Sequence, residues 1–199
     1  MNTSPPATIK YDWHTYIQNI RICLDTVVIS DGNGVNLVLG DGLYAWIDAG
    51  LSLVKRKGCL YLIGNGASAS LSSHFAADLN KHAGMKTHLF SDAAMLTAIG
   101  NDISFERIFA EPLLRYADKE DLLMTISSSG NSPNILSAIE AARQIEMKVI
   151  TLSGMNANNK SRYLGDLNIY VPGMTYGLVE SAHAILLHFF TDQLVAAHA

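Results

Sequence analysis

The sequence predicts an α/β fold: a parallel sheet with helices on both faces, three layers in all, preceded by a two-helix N-terminal unit. Short apolar runs of strand length alternate with amphipathic segments of helix length from Cys59 onward. Such alternation implies a parallel sheet covered on both faces. The 199 residues, 49% hydrophobic and 16% charged, suffice for one domain with a substantial core and are too few for two. A single domain over 1–199 is expected, with 1–57 as N-terminal arm and helices and 58–199 as the α/β core.

Residues 1–10 carry Ser, Thr and two prolines and read as a loose arm. From Tyr11 to Ile29 the apolar residues Trp13, Tyr16, Ile17, Ile20, Leu24, Val27 and Val28 follow helical spacing. The Gly- and Asn-rich stretch 31–42 reads as a break, and a second helix runs from Leu43 to Lys55. Cys59–Ile63 is the first strand, and a helix follows from Leu71. Thr87–Phe90 is a weaker second strand, with helical patterns at Ala93–Ile99 and Ser104–Tyr116. Asp121–Ile126 is the third strand, and its helix opens with Pro133, where a missing N–H costs nothing. Lys148–Leu152 and Asp166–Val171 complete the strands, and a long helix from Leu178 to Ala197 closes the chain.

Composition narrows the function. A net charge of -4 and the absence of a basic stripe argue against direct nucleic-acid binding, though local donors can still hold one phosphate. The opening Met-Asn-Thr-Ser-Pro-Pro-Ala lacks the basic and apolar regions of a signal peptide. The longest apolar runs fall far below a membrane span, so no membrane association and a cytoplasmic location are expected. Cys23 and Cys59 have no CxxC neighbour and read as buried free thiols.

In an open α/β sheet, ligands bind beyond the carboxyl ends of the strands, near a topological switch. Two such loops stand out, Gly64-Asn-Gly-Ala-Ser-Ala-Ser70 and Ser127-Ser-Ser-Gly-Asn-Ser132. Glycine admits close backbone approach, hydroxyls donate to phosphate oxygens, and the following helix offers free N–H groups. Neither loop continues as a P-loop, and the third glycine of a dinucleotide fingerprint is missing. A sugar phosphate held by hydroxyls fits better than a nucleotide.

Acid–base and metal-ligating residues follow. His74 and Asp78 lie i, i+4 on one helical face. On the last helix Glu180 and His188 are about 80° apart, whereas His183 points roughly 140° from His188. Glu180 and His188 are therefore expected to converge on one ligand, with His183 aimed elsewhere. Two imidazoles and two carboxylates suit a zinc-like ion or a general acid/base pair.

Ile63-Gly-Asn-Gly-Ala-Ser68, His74-Phe-Ala-Ala-Asp78, Ile99-Gly-Asn-Asp102, Ile126–Ser132 and Lys148–Gly154 resemble the bacterial phosphoheptose isomerases across nearly the whole chain. The resemblance implies a sugar isomerase (SIS), flavodoxin-like fold, assembled as a homotetramer with active sites at subunit interfaces. It implies conversion of sedoheptulose 7-phosphate into D-glycero-D-manno-heptose 7-phosphate through an enediol(ate), for surface-polysaccharide heptose synthesis. By the same resemblance, Ser127, Ser128, Ser129 and Ser132 hold the phosphate with Ser68, while Asn65, Gly66, Ala67, Asn101 and Asp102 line the sugar. His74, Asp78, Glu180 and His188 match the zinc ligands, one ion per subunit, and Asp78 and His188 match the acid/base pair. The family usually has glutamate where this chain has Asp78 and glutamine where it has Glu180. From these departures follows one alternative, a non-catalytic phosphosugar-binding relative or replication-initiator adaptor; a second, an isomerase for another phosphosugar, follows because the loop lining the far end of the sugar is not legible in the sequence.

Overall fold

Strand pairing explains where the chain departs from simple helical periodicity near its start. The structure, a computed structural model, describes residues 12–198; the expected arm and Tyr11 lie outside them. Helix α1 (Trp13–Asp25) begins at Asp12, whose carboxylate accepts from the backbone N–H groups of His14 and Thr15. It stops at Thr26 rather than running to Ile29. The β-branched run beyond forms β1 (Val28–Asp31), antiparallel to the last strand with Ile29 opposite Ile169. The leading segment is therefore helix–strand–helix, not two helices alone, and its strand extends the sheet.

Helix α2 (Leu39–Lys55) starts four residues earlier than its periodicity implied. The alternation then unfolds as expected: β2 (Cys59–Gly64), α3 (Ala67–Ala83), β3 (Lys86–His88), α4 (Ala93–Asp102), α5 (Ala110–Tyr116), β4 (Leu122–Ser127), α6 (Pro133–Gln144), β5 (Lys148–Gly154), β6 (Leu167–Val171) and α7 (Tyr176–His198). The expected Ser104–Tyr116 helix is divided into a 3-10 turn, Phe105–Arg107, and α5.

The sheet order is β1-β6-β5-β4-β2-β3, parallel except for the β1 edge. Successive strand residues point to opposite faces. Leu60, Leu62, Met124, Ile126 and Leu152 face α2, α3 and α7, where Trp46 stacks on Phe190 with ring centroids 4.6 Å apart. Tyr61, Ile63, Leu123 and Val149 face α5 and α6. The chain order reverses between β2 and β4, so their carboxyl ends form the switch point. No described helix is long and apolar enough to cross a membrane.

Candidate active site

Register places the two unusual loops face to face. Gly64 pairs with Ile126, so β2 and β4 end at the same level and their loops leave the sheet side by side. Gly64 is needed for the turn itself: a Cβ there would lie 2.7 Å from the backbone carbonyl carbon of Ser68. This close approach lets α3 begin almost directly beneath the strand end.

Between the loops lies a cavity of about 260 Å³ walled by Asn65–Ser68, Ser127–Ser129, Ser132, Tyr176 and Glu180. The Ser127 and Ser128 hydroxyls are buried and have no hydrogen-bond partner among the described residues. A buried hydroxyl without a partner is costly. Ser132 is the N-cap of α6, yet its side chain makes no capping bond. Free N–H groups at the start of α6, α3 and α7 add positive partial charge around the cavity. Among the described residues, no lysine or arginine lines it. The arrangement suits one phosphate held by hydroxyls and backbone donors.

The cradle is braced from behind by a residue that sequence reasoning missed. Gly130 turns with φ +63°, and Asn159 packs against its backbone. The buried Asn159 amide donates to the Asn156 carbonyl at 2.8 Å, and its oxygen accepts from Arg162 N–H at 3.0 Å. Ser161 N–H also donates to Gly130 O at 2.9 Å. The Asn-rich stretch 156–159 was the available signal, but it reads as an ordinary turn.

A second cluster lies farther along the helices. Potential ligand atoms of His74, Asp78 and His188 all fall within 4.8 Å of one another. His74 Nε2 is 3.4 Å from Asp78 Oδ2, and the His74 and His188 rings meet edge-on with centroids 5.6 Å apart. Two imidazoles and one carboxylate, half exposed on adjoining helices, fit a zinc-like ion that keeps a coordination position open.

Glu180 is not part of that group of three. Eight residues of helix separate Glu180 from His188 by about 12 Å along the axis. Glu180 instead lines the serine cavity. Asn101 and Asp102 are likewise absent from its walls. They stand exposed at the end of α4, with the Asn101 amide donating to Asp102 Oδ1 at 2.8 Å. Asn65 lines the cavity, but its amide is engaged by Asn134. His183 is fully buried with Nε2 3.2 Å from Ser153 O, pointing away from the cluster as expected. Burial, aided by Asp121, pushes the Cys59 thiol up to about 11, so that thiol is not a nucleophile near neutral pH.

The chain is similar in sequence and fold to known proteins. The SIS domain family profile matches residues 40–154. A phosphoheptose isomerase from Syntrophotalea carbinolica is 35% identical over 186 residues, covering 90% of each chain. One from Helicobacter pylori strain P12 is 34% identical over 148 residues, covering 71% of this chain and 77% of the relative. The structure of a phosphoheptose isomerase from Francisella tularensis superposes with a TM-score of 0.79 at 26% identity, covering 92% of this chain and 93% of that one. The chain belongs to the SIS domain family and, within it, to the phosphoheptose isomerases.

Proposed function

We propose that this chain is an isomerase converting sedoheptulose 7-phosphate to D-glycero-D-manno-heptose 7-phosphate, a precursor for surface-polysaccharide heptose. The observation that carries the reading is the pair of buried, unpartnered hydroxyls of Ser127 and Ser128 in a cavity bounded by helix N-termini. Turned toward the cavity, both would donate to phosphate oxygens, with Ser68, Ser129 and Ser132 beside them. From Ser68 to His74 the α3 axis rises about 9 Å, so a sugar anchored at the cradle extends along α3 and α7 toward Asp78 and His188. Glu180, on the cavity wall, accepts hydrogen bonds from sugar hydroxyls.

Ketose–aldose exchange requires one proton to leave C1 and one to arrive at C2, with a matching transfer between the two oxygens. Asp78 and His188 carry these protons, a carboxylate and an imidazole being suited to both directions near neutral pH. A divalent ion held by His74, Asp78 and His188 supplies Lewis-acid polarisation of the substrate carbonyl when bound; zinc fits the donor set. The half-exposed position of this group is consistent with an active site shared between copies, as is Asn101–Asp102 on the outer face of α4. Exposed Trp13 and Ile17 on α1, and Ile185 and Phe189 on α7, give a homotetramer apolar surface to bury. The cytoplasm is the expected compartment.

Phosphate recognition is tested by titration calorimetry with sedoheptulose 7-phosphate. Ser129→Asp places a carboxylate in the cradle and should abolish binding. Unchanged affinity in that variant would remove the serine cavity as the phosphate site.

A further inference from the structure

We infer that Asn134 is a positioning residue that sets the spacing of the two halves of the phosphate cradle through a paired-amide lock with Asn65. The inference rests on the serine cavity being the phosphate site. Asn65 belongs to the loop after β2 and Asn134 to the first turn of α6, after β4. Each amide donates to the other: Asn65 Nδ2 to Asn134 Oδ1 at 2.8 Å, and Asn134 Nδ2 to Asn65 Oδ1 at 2.9 Å. Asn134 is only 2% exposed. Among the described residues, no other side-chain hydrogen bond joins these two loops.

The position of the lock explains its use. Backbone pairing between β2 and β4 ends at Gly64 and Ile126, before the phosphate-binding residues begin. Beyond that point the amide pair continues the connection. Pro133, immediately before Asn134, fixes its own φ and starts the helix, so the Asn134 side chain leaves a rigid base. Asn65 also borders a second cavity of about 200 Å³, walled by Leu89, Phe90 and Phe109. Without its partner the Gly64–Ser68 loop has space to retreat, which would carry Ser68 and the α3 N-terminus away from Ser127–Ser132.

The lock should act on substrate binding more than on the chemical step. Asn134→Ala is expected to raise KM for sedoheptulose 7-phosphate about tenfold or more with a smaller change in kcat, the pattern of lost uniform binding. Affinity for inorganic phosphate should fall in parallel. Asn65→Ala should act similarly, and the double variant should be no worse than the poorer single one, because both break the same pair. Asn134→Asp keeps the shape but accepts only, and should weaken phosphate binding as well; it decides the matter if Asn134→Ala does not fold. A lowered melting temperature with unchanged KM and phosphate affinity would show a merely structural role and overturn the inference. So would additive effects in the double variant. Ser129→Asp separates the two readings. If it abolishes binding while the Asn134 variants bind as the parent does, the positioning role fails and the phosphate site stands. If it changes nothing, the phosphate site itself fails.

Discussion

Gly130→Ala tests how tightly the serine loop is built. Gly130 has φ +63°, a left-handed conformation that costs an L-residue about 1–2 kcal/mol. An added Cβ would also lie 2.0 Å from Asn159 Oδ1. That contact is not relieved by swinging a free side chain. Asn159 is fully buried, with its amide donating to Asn156 O and accepting from Arg162 N–H. Displacing it breaks hydrogen bonds on both sides, at about 1 kcal/mol each, so the total penalty is about 3–4 kcal/mol. For a chain of this size the melting temperature should fall on the order of 10 °C. If the loop yields instead, part of the penalty appears as lost sugar-phosphate affinity. Thermal unfolding and calorimetry on one preparation measure both. Asn159→Gly in the Gly130→Ala background should cost less than the sum of the single changes, because the clash is gone. A Gly130→Ala protein that melts and binds like the parent would refute the account of the braced loop.

Acid stability and metal binding give two further predictions. Burial pushes the His183 imidazole down to about 4 from an ordinary 6.5, against a smaller opposing effect from the Ser153 carbonyl. The unfolded chain then takes up a proton that the folded one refuses. Stability is thus full above pH 6.5 and declines toward pH 4, by up to about 3 kcal/mol. Urea unfolding of parent and His183→Gln at pH 7.5 and 4.5 checks this; equal losses in both would exclude His183 as a source. Removing one ligand of the group of three should weaken zinc binding, so His74→Ala should take up substoichiometric metal by atomic absorption after dialysis. Asp78→Asn should lose turnover while still binding sugar phosphate, and turnover at the parent's rate would show that Asp78 is not the base.

The sheet and the two facing Gly/Ser loops were largely legible because they rest on local signals. Apolar strands ended in Gly/Ser loops, and Pro133 marked the start of α6. What stayed hidden depended on long-range pairing or on distance along an axis. Val28 satisfied helical spacing and Asp31 read as the start of a break, yet pairing with β6 makes Val28–Asp31 a strand. Glu180 and His188 share a helical face but lie about 12 Å apart along it, an offset that spacing by angle does not show. The Asn65–Asn134 pair and the Asn159 brace join residues far apart in sequence, and nothing in either segment announces the other.

The central claim is catalysis of ketose–aldose exchange at this site. The most direct measurement incubates the purified, zinc-supplied protein with sedoheptulose 7-phosphate in deuterated water and follows product by NMR. The account predicts an aldose heptose 7-phosphate, with deuterium at C2 to the extent that the transferred proton exchanges with solvent, and no product from Asp78→Asn. Sugar phosphate that binds but is not converted by the metal-supplied parent would contradict it, leaving a phosphosugar-binding protein rather than an enzyme.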